Sequence, residues 1–206
     1  MMRVAQGALI YHSLYEKVSG YKASRDAIKN NFNDDFGNKF LYGDLPLTTW
    51  NAIVNKANPK KDAVFFDLGS GIGKAVILSH LIFDFRKSIG VELLSGLYDK
   101  SCEIMEQLEA KIKPDFARYL EGREMIFIND NIFNINLSDA DFIFLNYPLG
   151  DEGSFLFLEK KFLDELRPQT KIVTTIRNLK NPAFKLFDST RYKFSWGQAE
   201  TYFYEI

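Results

Sequence analysis

Five short apolar runs punctuate the chain, at residues 63–67, 87–91, 125–129, 141–145 and 171–175. Each is about the length of a strand and is bounded by polar or turn-forming residues. The stretches between them, 72–84, 94–112 and 154–166, have helical lengths. Short apolar strands alternating with helices predict parallel βαβ units. Upstream, residues 8–30 carry Leu9, Leu14, Val18 and Ala27 among their apolar positions and read as a helix or a pair of helices. The Asn- and Asp-rich segment 30–38 breaks that pattern, as turn-forming side chains do. A further helix is predicted from about Leu47 to Ala57, with Pro46 near its start, where proline is favoured. The end of the chain loses the alternation. Residues 192–196 and 201–206 are rich in aromatics and flank Gly197-Gln198, which predicts a closing antiparallel hairpin. The expected layout is an N-terminal helical extension over residues 1–58 and an α/β domain over 59–206. The domain carries a mostly parallel, twisted sheet.

The first strand runs straight into Asp67-Leu68-Gly69-Ser70-Gly71-Ile72-Gly73. A glycine-rich turn between a buried strand and a helix lets a ligand approach the backbone closely, and nucleotide-binding folds hold their cofactor there. The acid before the glycines discriminates between cofactors. A carboxylate repels a pyrophosphate but holds a cationic amino group, which favours S-adenosylmethionine over NAD. Lys74 stands where the dinucleotide fingerprint asks for its third small residue, so the spacing agrees. The second strand ends in Glu92, well placed to take both hydroxyls of a ribose. The plainer reading makes Asp67 a helix cap and Glu92 a solvated strand end.

A second cluster, Phe142-Ile143-Phe144-Leu145-Asn146-Tyr147-Pro148, places Asn-Tyr-Pro at the tip of the fourth strand. By the switch-point rule that tip faces the same crevice as the glycine loop. The Asn146 side-chain oxygen can accept a hydrogen bond from an incoming amine. Tyr147 can wall a channel for a methyl-bearing cation. The alternative is that Asn146 starts a turn and Tyr147 packs in the core.

Bulk properties narrow the field only a little. The 26 basic and 27 acidic residues nearly cancel, leaving no strong footprint for DNA or RNA. The most basic stretch, 171–193, reads as a solvated face. A single cysteine, Cys102, rules out an intrachain disulfide and points to a reducing compartment. It is read as a buried, inert thiol. A cytoplasmic location is expected, with export into a host cell left open. No signal-peptide core and no run of membrane-spanning length stands out. His12 and His80 are far apart and lack partners at ligand spacing, so neither a metal site nor a histidine-based triad is expected.

Alternating βα units finished by a hairpin are the layout of Rossmann-like class I methyltransferases. Within that class the chain resembles the non-SET lysine methyltransferases typified by the disruptor-of-telomeric-silencing enzymes. The resemblance rests on Tyr42-Gly43-Asp44, Asp67–Gly73, Gly90-Val91-Glu92 and Asn146-Tyr147-Pro148, in the family's order and at similar intervals, from roughly residue 35 to 180. Asp44 replaces the usual glutamate, Lys74 a common glutamine, and Asn-Tyr-Pro an Asn-Asn-Phe. The last also leans toward the Asn-Pro-Pro-Tyr motif of other amine N-methyltransferases.

The resemblance implies roles. Tyr42 and Asp44 would fold over the methionine end of S-adenosylmethionine, with Thr48 or Thr49 nearby. Asp67 would hold its amino group, Gly69, Ser70, Gly71 and Gly73 would cradle it, and Glu92 would take the ribose. The adenine would fall near Asp130-Asn131, with Ile132 or Phe133 on the ring. Asn146 and Tyr147 would line the acceptor channel. The expected activity is N-methylation of a protein lysine. Its alternatives are N-methylation of a small amine or nucleobase, a non-catalytic S-adenosylmethionine-binding module, and, lowest, an aminopropyltransferase.

Overall fold

The structure, a computed structural model, describes residues 2–31, 43, 45–146 and 152–206. Strand β1 (Ala63–Leu68) is apolar at every position but Asp67, and all six of its residues are buried. A run of this kind suits the middle of a parallel sheet covered on both faces. It lies between β2 (Phe85–Glu92) and β4 (Phe142–Leu145), parallel to both. The sheet continues outward to β3 (Glu124–Asn129) on one side, and on the other to β5 (Lys171–Thr175), β7 (Gly197–Glu205) and β6 (Lys185–Phe194). β1 to β5 are parallel, and β7 runs antiparallel to both β5 and β6. The chain steps from β1 out to β3 and then returns to β4, so the strand order reverses between β1 and β4. The crevice outside the carboxyl ends at such a reversal is where open α/β sheets hold ligands.

The two-residue period of β1 divides the core. Phe65 faces one layer, with Trp50 of α3 (Leu47–Ala57) fully buried against Phe65, Phe142 and Phe144 at centroid distances of 5.3, 6.1 and 4.8 Å. The Trp50 indole N–H donates to Ser79 Oγ of α4 (Lys74–Ile82) at 2.9 Å, so this large ring is buried without an orphaned donor. In the same layer α1 (Met2–Tyr15) packs on α4, and α2 (Gly20–Asn31) packs on α5 (Ser95–Lys111). A single turn, α6 (Pro114–Ala117), leads toward β3. Val64, Phe66 and Leu68 face the opposite layer, which Phe155, Leu158 and Phe162 of α7 (Glu152–Glu165) cover together with Phe184 and Tyr204.

Away from the crevice, Asp84 enters β2 and receives Arg3 of α1 at 2.6 Å and Arg123 at 2.5 Å. The two guanidinium groups hold its carboxyl below the usual range. His80 is buried nearby, and burial, followed by repulsion from Arg123, pushes its pKa down to about 4. It is a neutral core histidine.

The helix predicted over 47–57 matches α3, and residues 8–30 form parts of two helices. The hairpin differs in two respects. β6 begins at Lys185 instead of Tyr192, and Phe194 pairs with Gly197, so Ser195-Trp196 form the turn instead of Gly197-Gln198. β6 is the outermost strand and carries mostly polar residues there, so its first half has no apolar run to reveal it. Cys102 lies on α5 as expected but is half-buried, not buried.

Candidate functional site

The tips of β1, β2, β3, β4 and β5 converge at the reversal. Gly69, Gly71 and Gly73 all hold positive φ, at 87°, 56° and 79°. The Gly69 and Ser70 N–H groups both donate to Val91 O, at 2.9 and 3.0 Å, which folds the loop back over β2. Gly73 caps α4, and there a Cβ would lie 2.5 Å from Phe127 Cζ. Gly69 serves otherwise. A Cβ added to it would meet nothing within 4 Å, so its face is open to a ligand.

Asp67 is 4% exposed and has no hydrogen-bond or ion-pair partner among the described residues. Burial, then repulsion from Glu92, pushes its pKa up to about 8. Glu92 is buried too, contrary to the picture of a solvated strand end. Its Oε2 accepts the Gly71 N–H at 2.8 Å and its Oε1 the Leu94 N–H at 2.9 Å, so one carboxylate clasps the glycine loop to the turn after β2. Burial raises the Glu92 pKa, and its backbone donors act against that shift. Ser70 Oγ is buried without a partner among the described residues. Two buried carboxyl groups with no cation beside them among the described residues are costly to ionise together, and they suit a ligand that brings a cation.

At the tip of β3 the side chains are already engaged. Asn129 Nδ2 donates to Glu92 O at 2.8 Å. Asp130 Oδ1 accepts from Asn131 N at 2.6 Å and from Asn134 Nδ2 at 2.8 Å, and Asn131 Oδ1 accepts from Phe133 N at 3.1 Å. Asn131 therefore shapes the turn, and Ile132 and Phe133 provide apolar surface beside it. Phe133 meets Phe157 edge-on at 5.1 Å, and Phe157 is 57% exposed.

Asn146 follows β4. Its neighbour across the sheet is Thr175 at the end of β5, whose Oγ1 donates to Asn146 Oδ1 at 3.0 Å. Immediately beyond, Ile176 has φ 68° and the Arg177 N–H returns to Thr175 O at 2.7 Å. This three-residue reversal is a γ-turn of the strained kind, at about 1–3 kcal/mol, and its centre is a β-branched residue. Neither Thr175 nor Ile176 was singled out from sequence, because no Gly or Asn marks the turn.

Thr48, in the first turn of α3, lines an open groove of about 830 Å³ together with Tyr11, Tyr15, Glu16 and Lys74. The groove begins where the glycine loop enters α4. Tyr15 fixes that end, its hydroxyl donating to Ile72 O at 2.9 Å and its ring lying 5.3 Å from Lys74 Nζ. Thr49 turns away, donating to Lys193 O at 2.6 Å. Tyr42, Asp44 and Tyr147 lie outside the described residues. Gly43 is described, and a Cβ there would lie 2.1 Å from Trp196 Cζ3, so the hairpin tip presses directly on that backbone.

In the basic stretch, Lys171 pairs with Glu205, Lys180 with Glu152, and Arg191 with Glu200. Among the described residues no cluster of His, Cys, Asp and Glu has the makings of a metal site, and no helix is long and apolar enough to cross a membrane.

The family described as "Histone methylation protein DOT1" matches residues 25–196. The H3 lysine-79 specific histone-lysine N-methyltransferase of Caenorhabditis elegans is 28% identical over 144 residues, 65% of this chain and 14% of that protein. The Eremothecium gossypii enzyme of the same description is 26% identical over 150 residues, 71% of this chain and 26% of the relative. The chain thus matches only 14% and 26% of the length of these relatives. Among solved structures, an RNA methyltransferase from Salinibacter ruber in complex with S-adenosyl-L-homocysteine has a TM-score of 0.60 and 18% identity, covering 79% of this chain and 92% of that one. The magnesium protoporphyrin IX methyltransferase of Synechocystis PCC 6803, with bound S-adenosylmethionine, has a TM-score of 0.57 and 9% identity, covering 93% of both chains. These likenesses establish the Rossmann-like class I methyltransferase fold.

Proposed function

Since the chain belongs to the DOT1 family of histone methylation proteins, we propose that it is an S-adenosylmethionine-dependent N-methyltransferase acting on a protein lysine. The observation that carries the cofactor reading is Asp67, a buried acid without a partner among the described residues, set beside Glu92 and below the open face of Gly69. A carboxyl group in that setting ionises readily only when a cation is brought to it. The ammonium of S-adenosylmethionine meets the requirement, and Asp67 holds it.

The Glu92 carboxylate keeps acceptor capacity beyond its backbone donors, and this takes the ribose hydroxyls. Ile132 and Phe133 supply the apolar surface for the adenine ring, with the Asn131 backbone beside them. Thr48 faces the methionine end from the groove, and the family resemblance implies that Tyr42 and Asp44 would cover that end.

When bound, the cofactor supplies an electrophilic methyl group on a sulfonium leaving group. The protein's task is to align an amine with it, and such positioning supplies up to about 7–11 kcal/mol of the barrier. The amine must be neutral, and a free lysine with a pKa of about 10.4 is almost wholly protonated at neutral pH. Desolvation in an apolar channel, which Tyr147 would wall as the family resemblance implies, lowers that value. Asn146 then accepts a hydrogen bond from the amine and fixes its direction of approach. No side chain is assigned as a general base.

The test is transfer of label from methyl-labelled S-adenosylmethionine to histones, total cell protein, RNA and a polyamine mixture offered in parallel. Label recovered as methyl-lysine after acid hydrolysis supports the reading. Label in RNA or a polyamine moves the activity to a nucleobase or small amine, which Asn146-Tyr147-Pro148 also suits. Binding without transfer to any acceptor leaves a non-catalytic binding module.

A further inference from the structure

We propose that Thr175 is a positioning residue for Asn146, held in place by the Ile176 reversal; this rests on the reading of Asn146 as the residue that meets the acceptor amine. Thr175 is 1% exposed and ends β5 directly beside the tip of β4. Its hydroxyl donates to Asn146 Oδ1 at 3.0 Å. A carboxamide at a strand tip otherwise rotates freely about its last bond and presents oxygen or nitrogen to the crevice alike. The hydroxyl selects one of these states. With one lone pair of Oδ1 occupied by Thr175, the other remains for an N–H of the amine, and the amine lone pair is left free for the methyl.

The backbone around Thr175 explains why its hydroxyl can act as a fixed donor. Arg177 N–H closes on Thr175 O at 2.7 Å across Ile176, whose φ is 68°. Ile176 N–H is itself held by Glu200 O of β7 at 2.8 Å. The preceding residue, Thr174, is fully buried, and its Oγ1 donates to Arg177 O at 2.6 Å. Four consecutive residues are thus pinned to one another or to β7, and a β-branched residue is kept in a conformation it rarely adopts. Strain of this kind persists only where the surroundings over-determine it, and it gathers where a side chain must be aimed.

Two substitutions separate positioning from packing. Thr175→Val keeps the shape and removes the hydroxyl, whereas Thr175→Ser keeps the hydroxyl and loses the methyl. If Thr175 orients Asn146, the valine variant loses between about 10-fold and 100-fold in kcat, the range a misplaced reacting group produces, with S-adenosylmethionine affinity unchanged. The serine variant stays close to wild type. If Thr175 only fills space, the order inverts, and valine is the better tolerated residue at this buried site. In an Asn146→Ala background, Thr175→Val has no further effect on kcat, because the two act as one unit.

A readout without catalysis accompanies these. The side-chain amide NMR signals of Asn146, assigned by their loss in Asn146→Ala, shift and gain mobility in Thr175→Val but not in Thr175→Ser. Unchanged Asn146 signals in the valine variant overturn the proposal whatever the activity. Shifted signals in a protein that methylates none of the acceptors support the link between the residues while refuting the assigned function.

Discussion

Replacing Asp67 by Asn isolates the charge that makes this site unusual. In the folded chain burial holds the Asp67 pKa at about 8, far above the ordinary carboxylate value of 3.8. The native state therefore keeps a proton that the unfolded chain releases at lower pH. Stability contributed by that proton is whole below pH 4 and is lost as the pH rises toward 8. Near pH 8 the accumulated loss is about 5 kcal/mol, at about 1.4 kcal/mol for each pH unit of the gap. Asn has the same shape and carries no charge, so it escapes this loss. Its amide would still lack partners, at about 1–3 kcal/mol. The net gain near pH 8 is about 2–4 kcal/mol, which for a chain of this size raises the melting temperature by about 4–16 °C. Near pH 5 the difference shrinks to less than about 2 kcal/mol, the unpartnered amide offsets it, and the two proteins melt together. Thermal melts of the ligand-free proteins at both pH values are the assay. A melting gap that is the same at both values, or a variant less stable than wild type near pH 8, would falsify the view of Asp67 as a buried acid in want of a cation. The same substitution should abolish measurable S-adenosylmethionine binding at either pH.

The same chemistry predicts that binding of S-adenosylmethionine near pH 7 releases most of a proton as Asp67 ionises opposite the ammonium. Calorimetry in buffers of different ionisation enthalpy reads this directly, and proton uptake or no exchange would contradict it. Gly73→Ala brings a Cβ to 2.5 Å from Phe127 Cζ at a φ of 79°, and the crowding and strained backbone together cost more than about 2 kcal/mol. In urea unfolding, Gly73→Ala/Phe127→Leu should recover the packing part only, and full recovery or none refutes that division. Asn146→Ala should reduce kcat by at least about 100-fold while leaving S-adenosylmethionine affinity within a few-fold of wild type; equal losses in both sink its acceptor role.

The parallel part of the fold was legible because its central strands β1, β4 and β5 are short apolar runs buried at nearly every position, β1 most plainly. The outer half of the hairpin was not, since only Leu186 and Phe187 are apolar between Lys185 and Arg191, both are exposed, and the partner strand comes later in the chain. At the site, the acid before the glycines and the acid ending β2 could be picked out as chemistry. What Glu92 does could not, because its grip on Gly71 and Leu94 depends on how the loop folds back over β2. Thr175 was hidden for a similar reason. Thr-Thr-Ile-Arg reads as a strand running on, and only the pull of Glu200 and the Arg177 amide turns it through Ile176. Among the residues picked out, Thr48 lies at the groove, whereas Thr49 is drawn to the hairpin instead.

The strand order β5-β7-β6 sets a timetable for assembly. As the chain leaves the ribosome, β1 to β5 can pair with one another in turn, but β6 emerges with no neighbour to join. It must wait for β7, the only strand that joins it to the sheet. Until then the side of β5 stays bare, a ready template for pairing with other chains. Gly43 waits as well, since Trp196, which presses on it, belongs to the turn between those two strands. A ribosome stalled shortly before β7 would hold a nascent protein with its glycine loop already made and its sheet still unfinished.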